Sequence, residues 1–254
     1  MNRKATLAAQ INQDDEALDI LAKCDGYYEC PKDPEGNYTG PLVGYAGCYD
    51  DGHGNQLQYV GDVYYNFARA ERFHHVRELF AKGILRMLAG QEIDFDAVIG
   101  APMGGILLSG DIGRLANRRA VFMEKKVDEA ETATSREKSH LIMDRHELFS
   151  GDLAVLSEDV VNNLSTTGKA WAVIQSFGAR LVAITCAFNR SGKESFECPD
   201  GASVPILCYK WIPTAQYRQD DPVVARHITA GQWVKKPKDH WAELKAAMEN
   251  PTAA

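Results

Sequence analysis

Residues 153–161 read LAVLSEDVV. The continuous apolar run LAVL is followed by a serine, two adjacent carboxylates and two valines. A second run of the same kind, LVAIT, occupies residues 181–185. Neither run alternates apolar with polar residues, as a strand with one face in water would. Strands that are apolar on both faces are typical of a parallel sheet with helices on both sides, and this pattern predicts the fold.

Strand and helix patterns alternate on either side of this stretch. Continuous apolar runs predict strands at 95–99, 120–124, 153–157, 181–188 and 204–209. Apolar residues at three- and four-residue steps, together with capping signals, predict helices at 72–89, 105–117, 167–177 and 239–249. This alternation predicts an α/β fold, a parallel sheet flanked by helices, with elaborations at the N- and C-terminal ends.

The regions outside this core have different patterns. Residues 4–23 are loosely helical, and residues 26–61 are rich in turn-forming residues and tyrosine, which predicts loops with short strands. We therefore divide the chain into an N-terminal appendage and hood (1–56), a core (57–209) and a C-terminal extension packed on the core (210–254).

The charge of the chain limits its partners. Its 254 residues carry a net charge of −7, which argues against a nucleic-acid partner because phosphate contacts need a basic face. We find no apolar run of signal-peptide or membrane-spanning length, so we expect a cytoplasmic protein with no membrane partner. Any phosphate site must therefore come from a local group of residues and not from the overall charge of the chain.

The six cysteines are scattered, and we expect reduced thiols without disulfides. Cys24, Cys30, Cys48 and His53 could in principle surround a zinc ion. Their spacing lacks a Cys-x-x-Cys knuckle, which favours a structural use of these side chains.

Ligands of an open parallel sheet bind at the carboxyl ends of its strands, so the residues after each apolar run are the candidates for a site. The first such end is a turn of small residues, Gly100 to Gly105, that opens a helix and can present backbone N–H groups to an anion. A turn that only packs a helix against a strand would need glycines as well, and both interpretations stay open.

The second strand end carries Glu158 and Asp159. Burying two adjacent carboxylates at a strand end costs free energy unless they have partners. A divalent cation or the hydroxyls of a diol would be suitable partners. The alternative is a solvated turn in which Asp159 caps a helix. A third strand end carries Lys125 and Lys126, which could meet a phosphate or simply lie in water.

The glycine turn, the basic strand end and the acid pair, in this order and separation, resemble the type I phosphoribosyltransferases. Within that superfamily the sequence is most similar to the orotate phosphoribosyltransferases. Residues 100–105 are similar to their pyrophosphate loop, and Tyr64-Tyr65-Asn66 is similar to their Tyr-Tyr-Asp/Asn element. The resemblance covers roughly residues 57–190, a catalytic domain of ordinary size.

This resemblance implies a transferase that moves ribose 5-phosphate from phosphoribosyl pyrophosphate to a ring nitrogen of a base and releases pyrophosphate. Orotate is the leading acceptor, Mg²⁺ is the implied cofactor, and a homodimer is the implied assembly. Glu158 and Asp159 would bind the ribose hydroxyls and Mg²⁺, directly or through water. The implied catalytic residues are Asp159, Glu158, Lys125, Arg136 and Lys138. The implied substrate-binding residues are Ala101, Pro102, Met103, Gly104, Gly105, Lys125, Lys126, Glu158, Asp159, Asn162, Asn163, Ser165 and Thr166.

The sequence departs from that family in the loop after the acid pair. The family has two hydrophobic residues and then Thr-Thr-Gly-Gly-Ser/Thr, whereas this chain reads NNLSTTG at residues 162–168. The spacing from Asp159 to Gly178 matches the family without an insertion. The predicted 5′-phosphate loop is therefore 162–166, with Ser165 or Thr166 capping the next helix and its free N–H groups facing the phosphate.

A second departure concerns residues 127–150, which lack the mobile Lys-Asp-His-Gly loop of the orotate enzymes. Their polar composition predicts a long loop that acts as a lid over the site, with Arg136, Lys138, Arg145 and His146 as its cations. Ordinary solvated charge is the alternative. The accepting base would be held by the N-terminal region and Phe67.

These departures leave two functions open. The first is the enzyme, which would work by positioning and electrostatics without a covalent nucleophile. The second is a phosphoribosyltransferase-like binding or regulatory protein that keeps the ribose site and has lost catalysis.

Overall fold

The computed structural model describes residue 11, residues 15–129 and residues 138–249 of the chain. The strands in this part of the chain are β1 (Tyr27–Glu29), β2 (Leu42–Asp50), β3 (Gln56–Gly61), β4 (Val63–Tyr65), β5 (Ala97–Gly100), β6 (Arg119–Phe122), β7 (Glu124–Glu129), β8 (Lys138–Ile142), β9 (Leu153–Val161), β10 (Arg180–Asn189), β11 (Ser195–Glu197), β12 (Ser203–Trp211) and β13 (Trp233–Val234). The helices in the same part are α1 (Ala17–Lys23), α2 (Ala68–Glu71), α3 (His74–Gly90), α4 (Gly105–Ala116), α5 (Ser165–Ser176), α6 (Ala225–Thr229) and α7 (Trp241–Glu249). No helix within these described ranges has the length and apolarity needed to cross a membrane.

The central sheet has six strands in the order β11-β12-β10-β9-β5-β6. Strands β12, β10, β9, β5 and β6 pair in parallel, and β11 pairs antiparallel with β12 at one edge. Helix α4 connects β5 to β6, and α5 connects β9 to β10. The parallel α/β fold predicted from the sequence is confirmed.

Both faces of the sheet are covered, because neighbouring residues of each central strand enter different apolar clusters. On one face, Val98 and Val155 pack in a cluster that includes residues of α3 and α4. On the other face, Ile99 and Leu156 pack in a cluster that includes residues of α5. This two-sided burial is the physical reason why the strands read as continuous apolar runs.

Strand β9 is longer than predicted, and this changes the setting of the acid pair. Its pairing with β5 ends at Ser157, which lies opposite Gly100. Its pairing with β10 continues to Val161. Glu158 and Asp159 therefore lie within a strand that projects beyond its neighbour β5, and not in a turn after a strand that ends at Ser157.

A smaller sheet, in the order β13-β2-β3, lies outside the central one. Strand β13 pairs in parallel with β2, with Trp233 opposite Leu42 and Val234 opposite Val43. Strands β2 and β3 are longer than the short strands predicted for residues 26–61. Segments from both predicted elaborations thus share one sheet, while the three-part domain division stays a prediction.

The segment after β6 forms an antiparallel hairpin of β7 and β8, with Lys125 opposite Leu141 and Lys126 opposite His140. The prediction of an irregular loop from residue 127 onward is wrong for 127–129 and 138–142. The sequence of β7, EKKVDE, is charged at every position except Val127 and carries no apolar alternation that would signal a strand. Residues 130–137, including Arg136, lie outside the described residues.

Candidate functional site

The glycine turn after β5 packs directly on β9. The backbone N–H of Ala101 donates to the Ser157 carbonyl at 2.9 Å. A Cβ added to Gly105 would lie 1.9 Å from the same carbonyl oxygen, so only glycine fits there. The packing interpretation of this turn is therefore correct for Gly105.

Gly104 brings the turn against the acid pair itself. A Cβ at this position would lie 2.2 Å from the carboxyl carbon of Asp159. Within the turn, the peptide bond between Pro102 and Met103 is cis, and the Met103 side chain is 82% exposed. The turn and the acid pair predicted from separate strand ends are thus in contact.

Burial dominates the electrostatics of the acid pair. Desolvation raises the pKa of Glu158 to about 8, with a smaller contribution from the negative charge of Asp159. Burial also raises the pKa of Asp159, although the Val160 N–H, which donates to it at 2.8 Å, and the charge of Lys238 oppose the rise. A third carboxyl, that of Glu71, has a pKa raised first by burial and then by Asp159. A cation or a hydroxyl-bearing ligand would relieve this concentration of acids.

Asp159 opens into a cavity of about 270 Å³, which we call the acid pocket. Tyr64 and Tyr65 of the predicted Tyr-Tyr-Asn element line it, and burial together with the charge of Asp159 raises the pKa of Tyr64 to about 12. The full lining consists of Gly44, Tyr45, Ala46, Gln58, Tyr64, Tyr65, Asp159, Val160, Asn162, Arg190, Lys235, Pro237 and Lys238.

Glu158 does not line this pocket. It lies opposite Cys186, whose side chain belongs to the apolar cluster packed under α5. The structure therefore brings Asp159, and not both carboxylates, to the cavity. Among the residues that the structure describes, no group of three or more His, Cys, Asp or Glu side chains could hold a metal ion.

Arg190 is a site residue that sequence reasoning missed. Its side chain is almost fully buried, with a relative exposure of 4%, and its guanidinium lies over the rings of Tyr45 at 4.1 Å and Tyr65 at 5.1 Å. Its Nε donates to Thr214 Oγ1 at 3.3 Å, whereas its Nη2 is buried without a hydrogen-bond partner among the described residues. A buried cation with an unused donor is suited to an anionic ligand.

A second cavity, of about 440 Å³, adjoins the first through Ala46, Gln58 and Lys235, which line both. We call it the lysine chamber, since its lining in the described part of the chain has four lysines and no acidic residue. Its lining consists of Ala46, Gln58, Pro102, Lys125, Ser139, Leu141, Ser165, Thr166, Lys169, Lys235 and Lys236. The structure thus brings together Pro102, Lys125, Ser165 and Thr166, which were predicted from three separate segments.

The other three lysines of the chamber were not predicted. Lys169 lies on α5, one turn after Ser165, and its Nζ donates to the Ser139 carbonyl. Lys235 and Lys236 come from the C-terminal segment after β13.

Several predicted residues lie away from the two cavities. Lys126 forms an ion pair with Asp144 at 3.0 Å on the hairpin. Phe67 is fully buried in the core, with its ring edge-on to that of Phe80, and it cannot contact a base. Lys138 lies in β8, and its side chain is outside the described part of the structure.

The loop after the acid pair is shorter than predicted, because α5 begins at Ser165 and not at Thr167. Leu164 is the N-cap residue, with a left-handed φ of +61°. Asn163 Oδ1 accepts hydrogen bonds from the Ser165 N–H at 3.3 Å and the Ser165 hydroxyl at 2.9 Å. The prediction that Ser165 or Thr166 caps the helix is wrong, since both are helical and Asn163 supplies the acceptor.

No family model matches this chain. It is 31% identical over 120 residues to an orotate phosphoribosyltransferase of Heliobacterium modesticaldum, in a match that covers 46% of this chain and 57% of that protein. It is 27% identical over 165 residues to an orotate phosphoribosyltransferase of a Thermoanaerobacter species, covering 60% of this chain and 80% of that protein. Among solved structures, the orotate phosphoribosyltransferase of Aeropyrum pernix matches with a TM-score of 0.47 and 16% identity, covering 65% of this chain and 86% of that one. The two sequence matches confirm the resemblance to orotate phosphoribosyltransferases predicted from the motifs.

Proposed function

We propose that this chain is a phosphoribosyltransferase that transfers ribose 5-phosphate from phosphoribosyl pyrophosphate to a base, with orotate as the acceptor. The observation that carries the proposal is the adjacency of two cavities, one with a carboxylate among cations and the other lined by lysines. The acid pocket contains Asp159 together with Arg190 and two lysines, and the described lining of the chamber has four lysines and no acid. A ribose that carries phosphates at both ends and hydroxyls between them has the matching distribution of charge.

The phosphates would occupy the lysine chamber. The pyrophosphate would lie at the turn of residues 101–105 and at Lys125, because Pro102 and Lys125 both line the chamber. The 5′-phosphate would lie at Ser165 and Thr166, whose hydroxyls and backbone N–H groups stand at the first turn of α5.

The ribose hydroxyls would bind at the acid pair, with Asp159 as the direct partner. Asn162 lines the same pocket and is placed to hydrogen-bond the sugar, whereas Asn163 is engaged in capping α5. Glu158 would act from the other side of the strand, through its electrostatic interaction with Asp159.

The acceptor would enter the acid pocket beside Arg190. A carboxylate on the base would pair with the buried guanidinium and occupy its unused Nη2 donor. Orotate is a pyrimidine with such a carboxylate, whereas uracil is the same ring without it. This contact supports an acidic acceptor over a neutral one.

Mg²⁺ is the cofactor implied by the resemblance, and Asp159 fits it. The pKa of this carboxyl is raised by burial, so a nearby cation would favour its charged form. One protein carboxylate is a common share of a Mg²⁺ site whose other ligands are substrate oxygens and water. When bound, the ion would neutralise charge on the departing pyrophosphate.

The chain's own residues would act by positioning and by electrostatics. The acid pair fixes the ribose, Arg190 orients the base toward it, and the lysines stabilise the charge that develops on pyrophosphate. We retain Arg136 and Lys138 as proposed lid cations, and the homodimer as the proposed assembly. Sedimentation analysis tests the assembly directly.

Turnover tests the function. Phosphoribosyl pyrophosphate, Mg²⁺ and each of orotate, uracil and adenine are supplied in turn, and pyrophosphate release is measured. We expect release with orotate and none above background with uracil. Release with adenine alone would contradict orotate as the acceptor while leaving the transferase in place.

The second candidate function is a binding or regulatory protein without turnover. The observation that favours it is the loop after the acid pair, where Asn162 and Asn163 stand in place of the family's threonines. Saturable binding of phosphoribosyl pyrophosphate, with no pyrophosphate release from any base, would establish this function and exclude the transferase.

A further inference from the structure

The C-terminal segment crosses the site in a fixed position. Residues 235–238, which we call the strap, connect β13 to the segment before α7. Val234 precedes the strap and is buried in the cluster that holds β2, and Pro237 within it is buried as well. After the strap, Trp241 is buried and its Nε1 donates to the Asp25 carbonyl at 3.0 Å. The strap is therefore held before, within and after its lysines.

Strand β2 fixes the position of the strap. Val234 lies opposite Val43 in the parallel pairing of β13 with β2. A Cβ added to Gly44 would lie 2.9 Å from the Lys235 carbonyl oxygen, so the two backbones are in close contact there. The strap rests on β2 as part of the fold.

The three lysines of the strap are divided between the two cavities. Lys235 lines both cavities, Lys236 lines the lysine chamber, and Lys238 lines the acid pocket. Their side chains are exposed, in contrast to the buried Pro237 between them. Two of the four chamber lysines therefore come from a segment outside the region of family resemblance.

The charge of the residues that line the chamber is opposite in sign to the net charge of the chain. The protein carries a net charge of −7, yet the chamber gathers Lys125, Lys169, Lys235 and Lys236, and no acidic residue of the described ranges lines it. Four ammonium groups that line one cavity would attract a ligand with several negative charges. Inorganic pyrophosphate is a compact ligand of this kind.

We infer that Lys235 and Lys236 of the strap form a pyrophosphate-binding subsite with Lys125 and Lys169. This inference rests on the proposed function for its place in the reaction. The acceptor nitrogen forms a bond to C1 of the ribose as the bond from C1 to the pyrophosphate oxygen breaks, and pyrophosphate leaves with that electron pair. Lys235 and Lys236 lie beside the place of the departing pyrophosphate, where negative charge develops, and this position does not depend on closure of a lid.

Pyrophosphate binding in EDTA, measured by titration calorimetry on the full chain, tests the inference without Mg²⁺. The test variant is Lys235→Gln with Lys236→Gln. The matched control is Lys82→Gln with Lys193→Gln, which removes the same charge at exposed positions that line neither cavity. We expect the strap variant to bind at least tenfold more weakly, about 1.4 kcal/mol, and the control to bind within twofold of the parent.

Two results overturn the inference: a parent chain that does not bind pyrophosphate, or a strap variant that binds it as tightly as the control does. Unchanged thermal melting would show that the strap variant is folded. Turnover measured in parallel separates this inference from the proposed function. Strap-dependent pyrophosphate binding without turnover refutes the transferase alone, whereas turnover with unchanged pyrophosphate affinity in the strap variant refutes the subsite alone.

Discussion

The contact between the glycine turn and β9 is tested by a single methyl group. In Gly105→Ala the new Cβ would lie 1.9 Å from the Ser157 carbonyl oxygen and 3.2 Å from the Glu158 Cα. Both atoms belong to the backbone of a central strand, so no side-chain rotation can relieve the contact. The turn and β9 would have to separate.

The expected cost follows from that separation. Cβ atoms essentially never approach within 3.0 Å of such atoms, so the Ser157 carbonyl and the turn must move apart by roughly 1 Å. The hydrogen bond from the Ala101 N–H, now 2.9 Å long, would break at a cost of about 1 kcal/mol. Overpacking adds about 1–3 kcal/mol. We expect Gly105→Ala to lower the free energy of unfolding by about 2–4 kcal/mol.

Gly110→Ala on the same helix is the control. A Cβ at Gly110 would meet no atom within 4 Å, and the position is exposed in the interior of α4. Alanine is favoured over glycine there by about 0.5–1 kcal/mol, so this variant should be more stable than the parent. Two identical substitutions on one helix should therefore change stability in opposite directions.

Urea denaturation measures both variants. The midpoint should fall for Gly105→Ala and rise for Gly110→Ala, with the same slope against urea. The affinity of Gly105→Ala for phosphoribosyl pyrophosphate should also fall, since the acid pair lies on the displaced part of β9. Equal midpoints for Gly105→Ala and the parent chain would refute the contact between the turn and β9, and with it the position of the acid pair.

Four other predictions test the site and its surroundings. Glu158→Gln combined with Asp159→Asn should keep the fold and weaken phosphoribosyl pyrophosphate binding at least tenfold, about 1.4 kcal/mol, by titration calorimetry; unchanged affinity would contradict the assignment of the acid pair. Arg190→Gln should raise the KM for orotate at least tenfold and leave phosphoribosyl pyrophosphate affinity within twofold; equal loss of both would mean a structural role for the arginine. Burial raises the pKa of Asp152, but Arg119 and the Phe149 N–H lower that pKa by more than burial raises it, so the net shift is downward. Because the folded pKa is depressed, Asp152→Asn should cost about 1–2 kcal/mol at pH 7, and the difference should vanish as the pH falls through that pKa; a constant difference in urea midpoints between pH 7 and pH 2 would refute this reasoning. Residues 127–150 should exchange amide hydrogens faster than the strands of the central sheet and become protected when ligand binds; uniformly slow exchange in the free protein would identify a fixed insertion and not a lid.

The central sheet could be predicted because its signal is local. Continuous apolar runs mark the strands, and they read the same way whatever lies beside them. The end of β9 could not be placed, since the polar residues Glu158 and Asp159 conceal a strand that β10 extends by pairing with it. The hairpin of β7 and β8 was missed for the same reason, because pairing and not apolar alternation holds it together.

The residues that line the candidate site could be predicted where they lie at or just beyond the carboxyl ends of core strands. The glycine turn, Lys125 and the acid pair were found by that rule, and the rule also reaches Arg190, which directly follows β10. Lys169 carried a weaker signal, since it lies one helical turn after Ser165 and so shares a face of α5 with it. Lys235 and Lys236 carried none, because β13 has only two residues and gains its position from β2.

The pairing of β13 with β2 also predicts an order of events for folding during synthesis. Leu42 leaves the ribosome early, and its partner Trp233 is made only after the whole central sheet. A contact between residues so far apart in sequence is costly in loop-closure entropy and forms late. During synthesis the central sheet can therefore assemble while the edge of β2 is still bare and able to pair with another chain. Pairing with β13 covers the first two residues of that edge, so we expect the step that adds Lys235 and Lys236 to the lysine chamber also to shorten the edge that is open to aggregation.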